Sequence, residues 1–172
     1  DSTITIPAIC VSQEVGEPII ARIKLETVNA KLQLSSTPYV NGDGDFDNGI
    51  IAHEYGHGIS TRLTGGANTA SCLQNAEQMG EGWSDWFAMM VLIKPTDNGA
   101  TPRTIGTYAN NQPTTGAGIR RYPYSTDMSI NPLTFVNSNI ANLPHDRGEF
   151  MATVLWDLTW AYVAKYGISA NI

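Results

Sequence analysis

The chain has 172 residues, of which 42% are hydrophobic and 15% are charged, and its formal net charge is −6. This length suits one ordinary domain or two small ones, and the apolar share argues against intrinsic disorder. The acidic balance argues against a nucleic-acid partner, which needs a basic stripe, and no run approaches the roughly 18 apolar residues that indicate a membrane-spanning helix.

The N-terminal stretch, residues 1–35, predicts a strand, a helix and a second strand. Alternating apolar residues in TITIPAICVS (3–12) and in TVNAKLQLS (27–35) are typical of strands. The intervening QEVGEPIIARIKLE (13–26) has apolar residues at helical spacing. We expect this small βαβ unit to belong to a different domain from residues 36–172.

A turn-rich linker precedes the first long helix. Its alternating acids Asp43, Asp45 and Asp47 are reminiscent of a calcium-binding loop, but Asn48 stands where an EF-hand needs glycine. We therefore do not predict an EF-hand, and a looser calcium (Ca2+) site stays open as an alternative. The favoured interpretation is that Asp47 or Asn48 caps the following helix, whose N-terminus favours an acceptor side chain.

Three helices are predicted after this linker, over about 48–63, 77–94 and 149–166. The glycines at 65–66 would end the first helix, and Gly167 would end the last. Apolar stripes predict that all three pack around a core. The predicted core-facing residues are Ile50, Ile51, Ile59 and Leu63, then Trp83, Trp86, Phe87, Met90 and Ile93, then Phe150, Val154, Leu155, Leu158, Tyr162 and Val163.

The pattern HExxH lies in the first of these helices. His53 and His57 stand at positions i and i+4, so their imidazoles project from one face, and Glu54 lies between them. This arrangement predicts a zinc (Zn2+) site in which the glutamate accepts the proton of the attacking water. Catalytic zinc needs a third protein ligand, for which Glu81 in the next helix is the candidate. Asp85, one turn after Glu81, would accept the free ring N–H of a liganding histidine.

Residues 95–143 are rich in proline and show little periodicity, which predicts an irregular segment that lines a cleft. Its polar candidates for substrate contact are Tyr108, Arg120, Arg121, Tyr122 and Tyr124. A surface or packing role is the alternative for each of them.

One histidine remains once the zinc pair is assigned, His145, just ahead of the last helix. A hydrolase that forms an oxyanion needs a hydrogen-bond donor for it, and His145 is the candidate. The alternative is that His145, Asp146 and Arg147 form a solvated helix cap.

These motifs resemble the fungalysin family of secreted zinc metallopeptidases, of the bacterial type. The resemblance rests on AHEYGHGISTRLTGG, SCLQ, QMGEGWSDWFA, GIRRYPYSTDMSINPLTF and PHDRGEFMATVLWDLTW, and it covers the chain from about Asn41 onward. It implies an α+β fold whose catalytic portion is a mainly α-helical zincin of the gluzincin, thermolysin-like type. It also implies a functional histidine at His145 and favours Arg120 and Tyr122 as substrate-binding residues. The residues DRG after His145 depart from the small apolar residues usual in the family.

The N-terminal unit resembles the closing part of a protease-associated domain, a module that is inserted in some members of this family. Residues 1–35 would then be the C-terminal part of that domain, and residues 36–172 an incomplete zinc metallopeptidase catalytic domain. Cys10 and Cys72 either form one disulfide or are two buried thiols.

The resemblance implies an extracellular endopeptidase with one zinc ion per chain and a protein or peptide as substrate. Its ligands would be His53, His57 and Glu81, and Asp85 would orient His53. Glu54 and His145 would act directly on the substrate. The alternatives are a hydrolase of a non-peptide substrate and a non-catalytic, metal-binding or protein-interaction fragment of a larger peptidase. Turnover of a peptide distinguishes the last of these from the enzyme.

Overall fold

The computed structural model describes residues 13–29, 42–138 and 144–168. These residues form four α-helices, which are α1 (Gln13–Ile23), α2 (Asn48–Gly65), α3 (Gly80–Val91) and α4 (His145–Tyr166). Two short 3-10 helices span Gly44–Phe46 and Phe135–Ser138. The chain divides into two compact units, Asp1–Tyr39 and Val40–Ile172. The second unit contains α2, α3 and α4.

The described part of the chain is mainly helical, as predicted for the catalytic portion. In the first unit, α1 forms within the stretch that was predicted to be helical. Of the two strands predicted beside it, residues 3–12 and 30–35 lie outside the described residues, and residues 27–29 are irregular. The described residues therefore show the helix of the βαβ unit without its strands.

Asp47 caps α2 and also holds the irregular segment against it. Its Oδ1 accepts the backbone N–H groups of Gly49 at 2.9 Å and Ile50 at 3.2 Å. Its Oδ2 accepts those of Tyr108 at 3.0 Å and Ala109 at 3.2 Å. The predicted cap is confirmed. Because four N–H groups occupy this carboxylate, Asp47 is not placed to bind calcium.

Glycines and one strained residue set the ends of the helices. Gly66 (φ 76°) ends α2, and Gly167 (φ 77°) ends α4, as predicted. The predicted start of the second helix, at about residue 77, was wrong, because α3 begins at Gly80. The carboxamide oxygen of Asn75 accepts the N–H of Gln78 at 2.8 Å, and the positive φ of 48° at Gln78 interrupts any helical path there.

Helix α3 lies between α2 and α4 and packs closely against both. A Cβ atom on Gly82 would lie 2.1 Å from the carbonyl oxygen of Gly148, and one on Gly56 would lie 2.9 Å from the Cα of Ser84. Backbones can come this close only where side chains are absent or very small. Glycines therefore set the distances of α3 from α2 and from α4.

The predicted core faces were partly wrong. Ile51 is 48% exposed and Leu63 is 83% exposed, and Val154, Leu158 and Tyr162 are also exposed. The core among the described residues consists instead of Ala88, Met89, Ile105, Tyr124, Ala152 and Trp156. The close approach of the helices favours small residues where the backbones meet, so several large apolar side chains of the predicted stripes are exposed, whereas Trp156 is buried.

The segment after α3 is irregular, as predicted, and it is held at several points. Arg103 and Tyr124 form an antiparallel bridge with N–H to oxygen distances of 2.9 and 2.7 Å. The buried carboxamide of Asn131 donates to the Thr153 hydroxyl of α4 at 3.1 Å. These bonds fix the segment that supplies Arg120 and Tyr124 to the buried side of α3.

Cys10 lies outside the described residues, so the question of a disulfide stays open. The thiol of Cys72 donates to the carbonyl oxygen of Thr61 at 3.4 Å. None of the helices in the described ranges combines the length and the hydropathy that a membrane span requires.

Candidate metal centre

The three predicted metal ligands lie together. The Nε2 atoms of His53 and His57 are 3.1 Å apart, and the Glu81 carboxylate lies 3.2 Å from the first and 3.5 Å from the second. The ligand atoms of all three residues fall within 4.8 Å of one another. In tetrahedral coordination with bonds of about 2.0–2.1 Å, neighbouring ligand atoms are about 3.3 Å apart. The separations therefore suit a single zinc ion.

Local structure explains why these side chains meet. Helical spacing places His53 and His57 on the same face of α2, and the glycine between them, Gly56, lets α3 approach that face. Glu81 is in the first turn of α3, where the helix dipole favours a negative charge. The site is thus built on two helices rather than on loops.

Asp85 holds the other nitrogen of the His53 ring. Its Oδ1 lies 2.6 Å from Nδ1 of His53, and Asp85 is fully buried. The Arg120 guanidinium donates to both carboxylate oxygens, from Nε to Oδ2 at 2.6 Å and from Nη2 to Oδ1 at 2.9 Å. The hydroxyl of Tyr124 also donates to Oδ2. An ionised Asp85 selects the tautomer of His53 that carries its proton on Nδ1, which directs the Nε2 lone pair toward the other two ligands.

The charges of this cluster favour a cation at its centre. Burial alone would raise the pKa of Asp85, but hydrogen bonds from His53 and Arg120 hold it below its ordinary value. Burial would likewise raise the pKa of Glu81, but its bonds to His53 and His57 lower it. Burial would lower the pKa of His53, yet its bonds to Asp85 and Glu81 raise it to about 9. The two carboxylates therefore attract a positive charge to this position, which suits a bound cation.

The two residues predicted to act on the substrate lie beside this group. Glu54 follows His53 on α2 and its side chain is exposed. The ring of His145 is 49% exposed, and its Nε2 lies 3.4 Å from Oε1 of Glu81. The predicted start of the last helix, at about Glu149, was wrong, because α4 begins at His145 itself. His145 therefore has a helical backbone instead of preceding the helix.

The predicted substrate-binding residues differ in exposure. Arg120 is mostly buried, with its guanidinium bonded to Asp85 and a further contact of 3.5 Å to Glu81. Tyr122 has a partly exposed side chain, and its N–H donates to the buried Glu149 carboxylate at 2.9 Å. The prediction that Tyr124 is a candidate for substrate contact was wrong, because Tyr124 is fully buried. The roles of Arg120 and Tyr122 stay predictions.

A polar cavity of about 380 Å³ adjoins the centre. Its lining residues are Ile119, Arg120, Arg121, His145, Asp146 and Glu149. Arg121 donates to Glu149 at 2.6 Å, which ties the loop to α4 and shapes this cavity. Glu149 was not predicted from the sequence as a residue of this site. The available signal was an acid within the apolar pattern of a predicted helix, since a buried carboxylate needs a partner.

Two histidines one turn apart on one helix and a carboxylate from the next define a metal centre of the HExxH class. Residues 26–172 match the family model described as Fungalysin metallopeptidase (M36). The chain belongs to the fungalysin metallopeptidase family. The match starts at residue 26, whereas the resemblance was expected to begin at about Asn41. The family is zinc-dependent, in agreement with the ligand set of this centre.

Individual relatives agree with this assignment. The chain is 48% identical over 134 residues to extracellular metalloproteinase MEP of Neosartorya fischeri, which covers 77% of this chain and 20% of the relative. It is 45% identical over 136 residues to extracellular metalloproteinase mep of Aspergillus niger, and the alignment covers 78% of this chain and 21% of the relative. It is 42% identical over 154 residues to probable extracellular metalloproteinase 4 of Arthroderma benhamiae, and the alignment covers 88% of this chain and 22% of the relative. The chain spans about a fifth of the length of these relatives.

Proposed function

We propose that this chain provides the metal centre of a secreted zinc endopeptidase that hydrolyses internal peptide bonds of proteins. The observation that supports this most strongly is the grouping of His53, His57 and Glu81 within 4.8 Å, with His53 oriented by a buried carboxylate. The names of the relatives as extracellular metalloproteinases support both the peptidase activity and the secretion.

Zinc held by the three ligands would lower the pKa of a water molecule to about 7 and polarise the scissile carbonyl. Glu54, exposed and adjacent to His53, accepts the proton of the attacking water at its carboxylate and then delivers it to the leaving amine. His145 donates a hydrogen bond from its ring to the oxyanion, a contribution of about 100- to 1,000-fold in related chemistry. Its ring position beside Glu81 and its partial exposure suit that role.

Three further residues have supporting roles in this proposal. Asp85 keeps His53 in the tautomer that binds metal. Arg120 and Tyr122 contact the substrate from the cavity side of the centre, where Arg120 lines the 380 Å³ cavity.

We also propose that residues 1–35 are the C-terminal part of a protease-associated domain, and that residues 36–172 are part of a catalytic domain of the bacterial fungalysin type. The division of the chain at Tyr39–Val40 and the helix α1 support a separate N-terminal unit. Limited proteolysis tests the boundary. Cleavage between residues 30 and 41 that leaves a folded C-terminal fragment supports it, whereas cleavage within α2 opposes it.

The experiment for the main proposal is hydrolysis of an internally quenched fluorescent peptide by the zinc-loaded chain. The critical variant is Glu54→Gln, and Glu14→Gln is its matched control, because Glu14 is an exposed acid of the other unit. We expect wild type and Glu14→Gln to turn over, and both Glu54→Gln and chelated wild type to be inactive. One bound zinc without turnover in wild type would contradict the proposal and favour the non-catalytic fragment.

A further inference from the structure

The hydroxyl of Tyr124 reaches the same carboxylate that orients His53. It donates to Oδ2 of Asp85, to which Nε of Arg120 also donates. The other oxygen, Oδ1, is shared between His53 and Nη2 of Arg120. Each oxygen of Asp85 therefore has two donors. Tyr124 supplies the only donor among these that carries no charge and is not itself a metal ligand.

Packing alone explains the ring of Tyr124 but not the position of its hydroxyl. The ring belongs to the core cluster with Ala88, Met89 and Trp156, where phenylalanine would fill the same space. The hydroxyl extends beyond these apolar neighbours to a buried carboxylate that is 39 positions away in sequence. The ring and the hydroxyl can therefore be separated by experiment.

The backbone around Tyr124 holds the hydroxyl in place. Tyr124 exchanges hydrogen bonds with Arg103 in both directions, at 2.9 and 2.7 Å. The Ser125 hydroxyl donates to the carbonyl of Ala100 at 2.9 Å, and the N–H of Thr126 donates to the carbonyl of Gly99 at 2.9 Å. Four hydrogen bonds over three residues leave the Tyr124 side chain little freedom to turn away from Asp85.

We propose that Tyr124 is a positioning residue of the metal centre, which fixes the rotation of the Asp85 carboxylate and thereby the direction of the His53 Nε2 lone pair. This inference rests on the proposed function of His53 as a metal ligand. Without the hydroxyl, Arg120 is the remaining donor to Oδ2 among the described residues, and the carboxylate can shift toward the guanidinium and away from His53. Loss of an outer hydrogen bond of this kind typically weakens metal binding by about 10- to 100-fold.

The test is the zinc dissociation constant of Tyr124→Phe, measured by competition with a chromophoric chelator. The matched control is Thr159→Val, which loses the bond accepted from the Trp86 indole at 2.9 Å and the bond donated to the Leu155 carbonyl at 2.8 Å, neither of which involves Asp85. We expect zinc binding about 10- to 100-fold weaker in Tyr124→Phe and unchanged in Thr159→Val. Equal dissociation constants for wild type and Tyr124→Phe would overturn the inference while leaving the metal centre intact. Failure of wild type to bind zinc would instead refute the proposed function.

A double variant shows whether Tyr124 acts through Asp85. In an Asp85→Asn background, Tyr124→Phe is expected to cause no further loss of zinc affinity, and an additive loss would contradict the mechanism.

Wild type provides a measurement that does not depend on the variants folding. The hydroxyl proton of Tyr124, identified in NMR spectra by its contacts with its own ring, is expected to shift as zinc is added. An unchanged shift at full zinc occupancy would overturn the inference.

Discussion

The contact between α3 and α4 should not tolerate a single added methyl group. A Cβ atom on Gly148 would lie 2.5 Å from the backbone nitrogen of Gly82 and 2.8 Å from the Cβ of Glu81. Ordinary contact starts at 3.4 Å, so Gly148→Ala requires the helices to separate by about 0.9 Å. Overpacking of this kind typically costs about 1 to 3 kcal/mol. Because the Cβ atom of Glu81 would be displaced and Glu81 is a predicted zinc ligand, zinc affinity should also fall.

Helix propensity alone predicts the opposite sign. Replacing glycine by alanine within a helix gains roughly 0.5–1 kcal/mol. Gly58→Ala is the matched control, because Gly58 lies within α2 and a Cβ atom there has no neighbour within 4 Å. Urea unfolding of the metal-free chains should show Gly58→Ala as more stable than wild type and Gly148→Ala as less stable, with similar m-values. Equal gains in both variants would refute the close contact between α3 and α4.

Three further predictions concern the cap, the buried phenol and the metal. Asp47→Ala should destabilise the chain by about 1–2 kcal/mol or more in urea unfolding, because it removes the α2 cap and the bonds to the 108–109 backbone, and a loss below about 0.5 kcal/mol would contradict this assignment. Burial, then the nearby Asp85 charge, raises the pKa of Tyr124 well above 10.0, so the folded state keeps a proton that the unfolded state loses. The contribution of Tyr124 to the free energy of unfolding is therefore fully present below pH 10 and should be lost as pH rises above it, by at most about 1.4 kcal/mol per pH unit. Tyr124→Phe should remove this part of the dependence of unfolding free energy on pH, and identical slopes in wild type and variant would contradict the assignment. Zinc should raise the unfolding temperature of wild type, and chelation should reverse the increase, while His53→Ala should show neither effect; an equal zinc response in His53→Ala would rule out that ligand.

The polar centre was more predictable from the sequence than the hydrophobic core. His53 and His57 are fixed relative to each other by helical spacing alone, and Glu81 and Asp85 are fixed by the same rule on α3. The four side chains meet once the two helices lie side by side. The structure brings all four residues together.

The core was less predictable because periodicity finds apolar stripes without showing which face is packed. Leu63 and Leu158 satisfy the pattern but lie outside, whereas Gly82 and Gly148 carry no apolar signal and lie in the closest contact. Close backbone approach is a property of pairs of helices, so a single-helix pattern cannot reveal it.

The roles of Tyr124 and Glu149 were unpredictable for a different reason. Both depend on the path of an irregular segment, which brings Tyr124 to Asp85 and Arg121 to Glu149 across long sequence separations. No periodic pattern specifies such a path. Because a buried carboxylate needs a partner, the sequence can indicate which acids are paired, but it does not indicate which residues pair with them.

The central claim is that two imidazoles and one carboxylate bind one zinc ion. X-ray absorption at the zinc edge of the zinc-loaded chain tests it most directly. We expect one zinc per chain, with nitrogen and oxygen scatterers at about 2.0–2.2 Å and a first shell that loses an imidazole in His57→Ala. A sulfur scatterer at about 2.3 Å, or an unchanged first shell in His57→Ala, would contradict it.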